Sequence, residues 1–366
     1  MRLRPSLFWQ ARALDSHLPL LLPVCRDLQS ARNELRWLSQ HVDDKCRTES
    51  REIHHNLLSN YVRRRAGGEP LQYILGSEWF GDLKLYCRPG VLIPRPETAA
   101  STSYLVHRLS NGILKNLLPR NLRVLDLCTG SGCIPLLFHH EFYSSPDHRM
   151  STLELIGMDL SNTAIRLAED NVINQLRLQQ HPSSNGEERL KSLRGLRVLR
   201  ADVMETSPYS ASVTEVLRQH RGLKETPTCD IIISNPPYIS AKAFRTTTAR
   251  SVRHFEPRLA LVPHNSRHTD SEHDGDAFYP RLLAIANELE AKAMLAEVAD
   301  MEQALRVAAL AVKERCWEGI EIWRDDPATG RVDTTDVGKM SVRVLGDGHG
   351  RSVFLYRRLG AAPLAD

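Results

Sequence analysis

Apolar residues in the middle of the chain fall in short runs that alternate with amphipathic segments. Strand-like runs occupy residues 123–128, 153–160, 198–201, 230–234 and 293–298, and helical patterns occupy 133–142, 162–176, 277–289 and 301–314. Because each crossover between parallel strands must bury one stripe of a helix, this alternation predicts a parallel sheet with helices on both faces. Residues 319–323, 341–345 and 352–356 are strand-like segments joined by glycine-containing loops, which predicts an antiparallel edge.

The N-terminal part of the chain shows helical periodicity. Apolar residues at every third or fourth position predict a helix that begins at Pro23 and continues through Ala31, Leu38 and Val42. A second helix is predicted to end at Gly67. We therefore expect a helical domain over residues 1–66, a hairpin and linker over 67–100 that ends before a helix capped by Thr98 or Ser101, and an α/β domain over 101–366. Residues 181–188, 205–227 and 264–274 lack periodicity and are interpreted as surface insertions.

Composition narrows the possible functions only moderately. The 366-residue chain carries a formal net charge of +4 and seven scattered cysteines, with no Cys-x-x-Cys pair. We expect reduced thiols and no metal site, and the mild positive charge does not indicate a nucleic-acid groove. No apolar run approaches the roughly 20 residues of a membrane-spanning helix. Three arginines, Arg2, Arg4 and Arg12, precede the first acid, Asp15, which is typical of an organelle transit segment or of a solvated helix turn.

Polar residues gather where the predicted strands end. Gly130 and Gly132 follow the first strand and allow the backbone to approach a ligand near a helix N-terminus. Asp159 ends the second strand, where an acid can accept ribose hydroxyls, and Asp202 follows the third, within reach of an adenine edge. Each feature alone is also an ordinary turn or helix cap. Their recurrence on successive strands favours a nucleoside pocket.

The fourth strand runs into the turn Asn235-Pro236-Pro237-Tyr238. This turn contains no strong acid, base or nucleophile. It offers the Asn235 side-chain carbonyl, a proline backbone carbonyl and an aromatic ring, which together suit a planar NH2 group. Two prolines after a strand are also an ordinary way to end that strand.

In combination these residues resemble the class I S-adenosylmethionine methyltransferases, and within them the HemK-type glutamine N5-methyltransferases of peptide chain release factors. The segments that carry the resemblance are 69–76, 92–98, 126–132, 159–161, residue 202, 235–239 and 255–261. Cys128 and Ala299 stand where the family has glycine. The Asn-Pro-Pro-Tyr turn also occurs in adenine N6-methyltransferases, whereas segments 92–98 and 255–261 are much more specific.

The resemblance implies a fold, a cofactor and a substrate. The fold is a Rossmann-like, seven-stranded, mostly parallel sheet with an antiparallel edge, plus a small N-terminal helical domain. The cofactor is S-adenosylmethionine, without a metal, and its expected contacts are Asp126, Cys128, Thr129, Gly130, Ser131, Gly132, Asp159, Leu160, Asp202, Val203 and Asn235. The substrate is the glutamine of the Gly-Gly-Gln motif of a release factor, with expected contacts from Pro94, Arg95, Glu97, Asn235, Pro236, Pro237 and Tyr238.

The resemblance also suggests how catalysis works. The Asn235 side-chain oxygen and the Pro236 carbonyl accept the two amide hydrogens, Tyr238 stacks on the amide plane, and these three are the expected catalytic residues. A mitochondrial location is implied, with the cytoplasm as the alternative. One rival function is an adenine N6-methyltransferase that acts on a flipped base of a nucleic acid. Another is a non-catalytic nucleoside-binding protein. Such a protein would tolerate changes in the turn that contains Gly130 and Gly132 (residues 128–132, here called the glycine turn) and in the Asn-Pro-Pro-Tyr turn, but both turns are intact.

Overall fold

The computed structural model describes residues 3–110, 119, 121–145, 152–179, 186–206, 211–222, 227–264 and 273–357. It begins with four helices: α1 (Pro5–Leu14), α2 (Leu18–Cys25), α3 (Leu28–Lys45) and α4 (Arg51–Ala66). Their apolar faces form one buried cluster that includes Leu21, Leu22, Leu38 and Val62. The prediction of helices in this region is therefore confirmed, whereas its treatment as a separate domain stays a prediction.

The first predicted helix start was wrong. Pro23 lies inside α2, which ends where Arg26 adopts a left-handed φ of 71°. Asp27 then caps α3, because its side chain accepts a hydrogen bond of 2.8 Å from the Ser30 backbone N–H. A capping aspartate outweighs the preference of proline for a first helical turn. The stripe of Ala31, Leu38 and Val42 is buried as predicted.

The segment between the helical region and the main sheet contains the predicted hairpin. Its strands are β1 (Ser77–Phe80) and β2 (Leu83–Tyr86), which pair antiparallel. A short helix, α5 (Leu71–Leu75), precedes the hairpin and was not predicted. The next helix, α6 (Pro96–Ser110), begins earlier than expected, because Pro96 occupies its first turn. Thr98 and Ser101 are therefore not helix caps, and their buried hydroxyls contact other parts of the chain.

Within the described residues, the main sheet has nine strands in the order β5-β4-β3-β6-β7-β11-β8-β10-β9. The strands are β3 (Asn121–Leu127), β4 (Thr152–Asp159), β5 (Arg197–Arg200), β6 (Ile231–Ser234), β7 (Ala293–Glu297), β8 (Gly319–Asp326), β9 (Val332–Val337), β10 (Met340–Leu345) and β11 (Asp347–Tyr356). The five strands from β5 to β7 are parallel, and β11 pairs antiparallel with both β7 and β8. The mostly parallel sheet with an antiparallel edge is therefore confirmed.

The expected count of seven strands in this sheet was too low. The hairpin of β9 and β10 adds two strands beyond β8, since β10 pairs with β8 and β9 pairs with β10. The sequence of β9, Val-Asp-Thr-Thr-Asp-Val, is mostly polar because β9 forms the outer edge of the sheet and most of its residues are exposed or half-buried. An edge strand needs little apolar sequence, so its pattern is weak.

Helices cover both faces of this sheet, as predicted. The helices that follow α6 are α7 (Cys133–Ser144), α8 (Asn162–Leu178), α9 (Glu187–Gly195), α10 (Val213–Arg221), α11 (Ala241–Thr246), α12 (Arg250–Phe255), α13 (Phe278–Glu288) and α14 (Met301–Glu314). Along β6, Ile232 belongs to one buried cluster and Ile231 and Ile233 belong to the other. Strands whose two faces are both buried read as continuous apolar runs, and β6 does so.

One predicted insertion contains regular structure. Residues 205–227 include α10, whose Val213 and Leu217 are buried, so the interpretation of this stretch as wholly irregular was wrong. Most of residues 181–188 and 264–274 lies outside the described part of the chain. No helix that the structure describes is long and apolar enough to cross a bilayer.

Candidate active site

A cleft of about 1030 Å³, measured out to open solvent, lies where β3, β4, β5 and β6 end. Predicted cofactor residues that line this cleft are Cys128, Thr129, Gly130, Ser131, Asp159, Leu160, Asp202, Val203 and Asn235. Predicted substrate residues that line it are Pro94, Arg95, Asn235 and Pro237. Asp126, Gly132, Glu97, Pro236 and Tyr238 are not part of its lining. The structure thus brings most of the predicted residues to one place.

The glycine turn after β3 is held by Asp159. The Gly130 N–H donates to Asp159 Oδ2 at 2.9 Å, and the Ser161 N–H donates to Oδ1 of the same carboxylate at 2.8 Å. Burial raises the pKa of Asp159, and these backbone hydrogen bonds oppose that shift. Gly130 and Gly132 have left-handed φ values of 57° and 75°, which explains why the turn contains glycine. The carboxylate therefore shapes the turn and also borders the cleft.

Cys128 also adopts the left-handed conformation, with a φ of 63°. This is the position where the resembling family has glycine, and a side chain there costs about 1–2 kcal/mol. The thiol borders the cleft. All seven cysteines of the chain are free thiols.

Below the glycine turn, several buried polar atoms have no hydrogen-bond partner among the described residues. They are both carboxylate oxygens of Asp126 and the hydroxyls of Thr129 and Ser131. Burial raises the pKa of Asp126 to about 8. The Thr129 hydroxyl is near enough to oppose this shift without reaching hydrogen-bonding geometry. Buried polar groups normally have partners, so these atoms fit a polar, cationic ligand such as the methionine part of S-adenosylmethionine.

The part of the cleft lined by Val203, His264 and Phe278, next to Asp202, is more apolar. The Asp202 carboxylate accepts a hydrogen bond of 2.8 Å from the Met204 backbone N–H, so it partly serves its own turn. Val203, His264 and Phe278 border the cleft nearby, and the rings of His264 and Phe278 meet edge to face at 6.4 Å. This arrangement suits a flat aromatic base. Sequence reasoning missed both rings, because neither follows a predicted strand.

The Asn235 turn forms the opposite side of the cleft. Asn235 Nδ2 donates to Thr98 Oγ1 at 3.4 Å, and Thr98 Oγ1 donates to Glu297 Oε2 at 2.5 Å. The Tyr238 hydroxyl donates to the other oxygen of Glu297 at 3.1 Å. Burial raises the pKa of Glu297 to about 7, and these two hydroxyl donors oppose the shift. The local sequence gives no signal of the contact between Glu297 and Thr98, because the two residues are 199 positions apart along the chain.

The backbone of the same turn is fixed from behind. Gln303 Nε2 donates to the Tyr238 carbonyl at 3.2 Å and to Asp276 Oδ1 at 2.8 Å. A Cβ atom on Gly275 would lie 2.2 Å from that carbonyl oxygen, so only glycine fits there. The turn is therefore clamped between the start of α14 and the segment before α13.

The segment around Arg95 lines the cleft and is fastened there by an ion pair. Arg95 Nη2 donates to Glu256 Oε1 at 2.6 Å, and the Ile93 N–H donates to Glu256 Oε2 at 3.1 Å. Glu256 is buried and Arg95 is half-buried. This contact joins two segments that carry the resemblance, residues 92–98 and 255–261. Arg95 was predicted only as a substrate contact, and sequence reasoning missed its partner Glu256.

This arrangement defines the class of protein. A glycine turn, strand-end carboxylates and an Asn-Pro-Pro-Tyr turn share one cleft of a Rossmann-like sheet, which is the organisation of a class I methyltransferase. No group of three or more His, Cys, Asp or Glu residues within the described ranges is placed to hold a metal ion.

Comparison with known proteins gives the family. The chain is 30% identical over 262 residues to the mitochondrial MRF1 N(5)-glutamine methyltransferase MTQ1 of Saccharomyces cerevisiae, covering 71% of this chain and 68% of that protein. It is 32% identical over 264 residues to the probable MRF1 mitochondrial N(5)-glutamine methyltransferase mtq1 of Schizosaccharomyces pombe, covering 69% and 72%. It is 28% identical over 305 residues to the release factor glutamine methyltransferase of Haemophilus influenzae, covering 81% and 88%. The chain belongs to the release factor glutamine methyltransferase family.

This membership confirms the expected resemblance, the enzyme class and S-adenosylmethionine as the cofactor. No protein-family model matches the chain. Among solved structures, the catalytic domain of human METTL16 in complex with a MAT2A 3'UTR hairpin aligns with a TM-score of 0.44 at 12% identity, covering 83% of this chain and 84% of that chain. That alignment is too distant to bear on the substrate.

Proposed function

We propose that this protein transfers a methyl group from S-adenosylmethionine to the side-chain amide nitrogen of the glutamine in the Gly-Gly-Gln motif of a peptide chain release factor. The observation that carries the proposal is the position of Asn235, which faces the same cleft as the glycine turn while its own NH2 group is held by Thr98. The names of the similar yeast and bacterial proteins support the same reaction.

The cofactor would be held on the side of the cleft below the glycine turn. When bound, it supplies an electrophilic methyl group on a sulfonium centre. Thr129 and Ser131 line the cleft with hydroxyls that have no partner among the described residues, and Asp126 lies beside Thr129 behind that lining, where its carboxylate would favour the charged end of the cofactor. Asp159 borders the place suited to the ribose. Val203, with the aromatic rings beside it, suits its base.

The Asn235 turn would orient the substrate. A primary amide nitrogen is a poor nucleophile because its lone pair is delocalised into the carbonyl, and no side chain in this turn is a strong base. The Asn235 oxygen and the Pro236 carbonyl would accept the two amide hydrogens, direct the nitrogen into the cleft and stabilise the positive charge that develops on it. Tyr238, whose hydroxyl donates to Glu297, would hold the turn in place.

The partner is proposed to be a release factor whose glutamine lies on an exposed loop flanked by glycines, because a side chain reaches a deep cleft only when its neighbours are small. The N-terminal helices and the segment from Pro94 to Glu97 would contact the rest of that partner. We place the protein in mitochondria, as the names of the two yeast relatives support.

Labelled S-adenosylmethionine tests this proposal. The purified protein would be offered a release factor with its Gly-Gly-Gln loop, the same factor with that glutamine changed to alanine, and adenine-containing RNA or DNA. Label on the intact factor alone is the expected result. Label on the nucleic acid would instead support adenine N6 methylation, and equal label on both release factors would exclude the Gly-Gly-Gln glutamine as the acceptor.

A further inference from the structure

The buried carboxylate of Glu297 organises the hydrogen bonds behind Asn235. Glu297 ends β7, is only 4% exposed, and accepts from the hydroxyls of Thr98 (2.5 Å) and Tyr238 (3.1 Å). An ionised carboxylate can accept hydrogen bonds but cannot donate them. Each hydroxyl therefore uses its single hydrogen on Glu297.

Thr98 Oγ1 then has only lone pairs to offer to Asn235. The end of the Asn235 amide that lies 3.4 Å from this oxygen must therefore be the NH2 group, as it is in the structure. The opposite orientation would place two oxygens against each other. It would also present a donor, instead of an acceptor, to the hydrogens of a substrate amide.

We propose that Glu297 and Thr98 are positioning residues that determine which end of the Asn235 amide is available to the substrate. This inference rests on the function proposed above. The hydrogen bonds of three side chains all point the same way. Glu297 accepts from Thr98, Thr98 accepts from Asn235, and the Asn235 oxygen is left for the glutamine NH2 group. The same direction disfavours a glutamate side chain, because an ionised carboxylate has no hydrogen to offer to that oxygen.

Protonation of Glu297 would allow the hydrogen bonds between Glu297, Thr98 and Asn235 to reverse, so the orientation of the Asn235 amide would no longer be fixed. Burial raises the pKa of Glu297 to about 7, against the effects of the Thr98 and Tyr238 hydroxyls and of Arg351, while Glu97 adds to the rise. Arg351 is itself paired with Asp325 at 2.9 Å. A protonated Glu297 donates to Thr98, whose own hydrogen is then free for the Asn235 oxygen. We expect kcat to fall as pH drops below about 7, without a parallel loss of cofactor binding.

Four substitutions in the full-length protein test the inference. Thr98→Val removes the hydroxyl at constant shape, and Glu297→Gln places a donor where there were two acceptors. Thr98→Ser restores the hydroxyl. Thr102→Val is a matched control, because the Thr102 hydroxyl is equally buried on α6 but donates to the Thr98 backbone carbonyl at 2.8 Å.

Thr98→Val and Glu297→Gln are expected to lower kcat on the release factor by about 10- to 100-fold, as small misplacements of a reacting group do. The Kd for S-adenosylmethionine is expected to stay within about 2-fold of the wild-type value, which is a difference of less than 0.5 kcal/mol. Thr98→Ser and Thr102→Val are expected to retain most of the activity. Glu297→Gln is also expected to flatten the acid side of the pH profile.

Two results would overturn the inference. Thr98→Val could turn over as fast as Thr102→Val, or could lose cofactor affinity as much as kcat, which would make Thr98 a cofactor ligand. A wild-type kcat that is flat between about pH 6 and pH 8 would overturn the expected pH dependence alone. A wild-type protein that labels no release factor would overturn the proposed function itself, which separates that failure from this one.

Discussion

The two sides of the cleft differ in whether their buried polar side chains have hydrogen-bond partners. On the side below the glycine turn, Asp126, Thr129 and Ser131 are buried with side-chain oxygens that have no partner within the described residues. On the Asn235 side, the side chains of Thr98 and Glu297 are equally buried and linked to one another. Unpaired buried groups cost stability unless a ligand satisfies them, whereas a linked network is rigid before any ligand arrives. The first side is therefore suited to binding and the second to orientation.

Asn235→Ala is expected to have the largest effect, and only on the orienting side. Loss of a preorganised polar contact commonly lowers turnover by about 100-fold or more, and we expect that loss in kcat on the release factor. Cofactor affinity is expected to change only modestly, because the unpaired oxygens below the glycine turn remain. Isothermal titration and single-turnover kinetics on the same preparation measure both quantities. Near-normal turnover would refute the role of Asn235.

Gly275→Ala is expected to have the next largest effect. An added Cβ would lie 2.2 Å from the Tyr238 carbonyl oxygen, so the Asn235 turn must shift. A shift of this kind costs about 10- to 100-fold in turnover while leaving the cofactor side intact. Gly195→Ala is a matched control, since an added Cβ at Gly195 meets nothing within 4 Å. Equal kcat for the two variants would show that the clamp on Tyr238 is unimportant.

Asp126→Asn is expected to act on the binding side. A cationic cofactor favours the ionised form of Asp126, and asparagine cannot ionise, so the substitution should weaken S-adenosylmethionine binding by about 10-fold, the equivalent of 1.4 kcal/mol, with kcat at saturating cofactor nearly unchanged. Because the pKa of Asp126 is raised to about 8, the folded protein holds more protons than the unfolded chain, and wild-type stability falls as pH rises towards 8. The variant should therefore gain in Tm over the wild type as pH rises.

Asp230→Asn supplies the control for this prediction. Asp230 is equally buried at the opposite end of the sheet, but it accepts hydrogen bonds from Lys292 Nζ at 2.8 Å and from the Arg123 N–H at 2.9 Å. Its substitution should cost about 1–3 kcal/mol of stability and leave cofactor affinity unchanged. A loss of stability at alkaline pH in Asp126→Asn would show that Asp126 has a partner within the protein.

Gly132→Ala is expected to have the smallest effect. The backbone there is left-handed, and an added Cβ would lie 3.0 Å from the Ala168 Cβ. We expect a loss of about 1–2 kcal/mol in the free energy of unfolding, measured by urea denaturation, and a weaker cofactor complex because the glycine turn moves. No loss relative to Gly195→Ala would mean that this turn adapts freely.

The sequence predicted the parts of this protein that depend on local pattern. The buried strands β3, β4, β6 and β7 were found because both of their faces are apolar. The glycine turn was found because its two glycines are only two positions apart and directly follow a strand. Strand β9 and helix α10 were missed, since an edge strand and a surface helix need few apolar positions. Pro23 was misassigned because Asp27 competes for the helix start.

The supporting contacts of the site could not be predicted in the same way. Thr98 resembles a helix cap in the sequence, yet its hydroxyl meets Glu297, which is 199 positions away along the chain. Glu256 similarly pairs with Arg95 across 161 positions. Such contacts depend on how α6 and the cover of the cleft pack on the sheet, and no local pattern encodes that packing. The orientation of Asn235 is therefore a property of the fold and not of its own turn.

One measurement tests the separation of the two sides most directly: cofactor affinity and single-turnover rate at saturating S-adenosylmethionine, determined in parallel for Asn235→Ala and Asp126→Asn. We expect opposite effects in the two variants. Asn235→Ala should bind the cofactor but barely transfer the methyl group, whereas Asp126→Asn should bind the cofactor weakly but transfer the methyl group at nearly the wild-type rate. If both variants lost affinity and rate together, binding and orientation would not be separate and the account would be wrong.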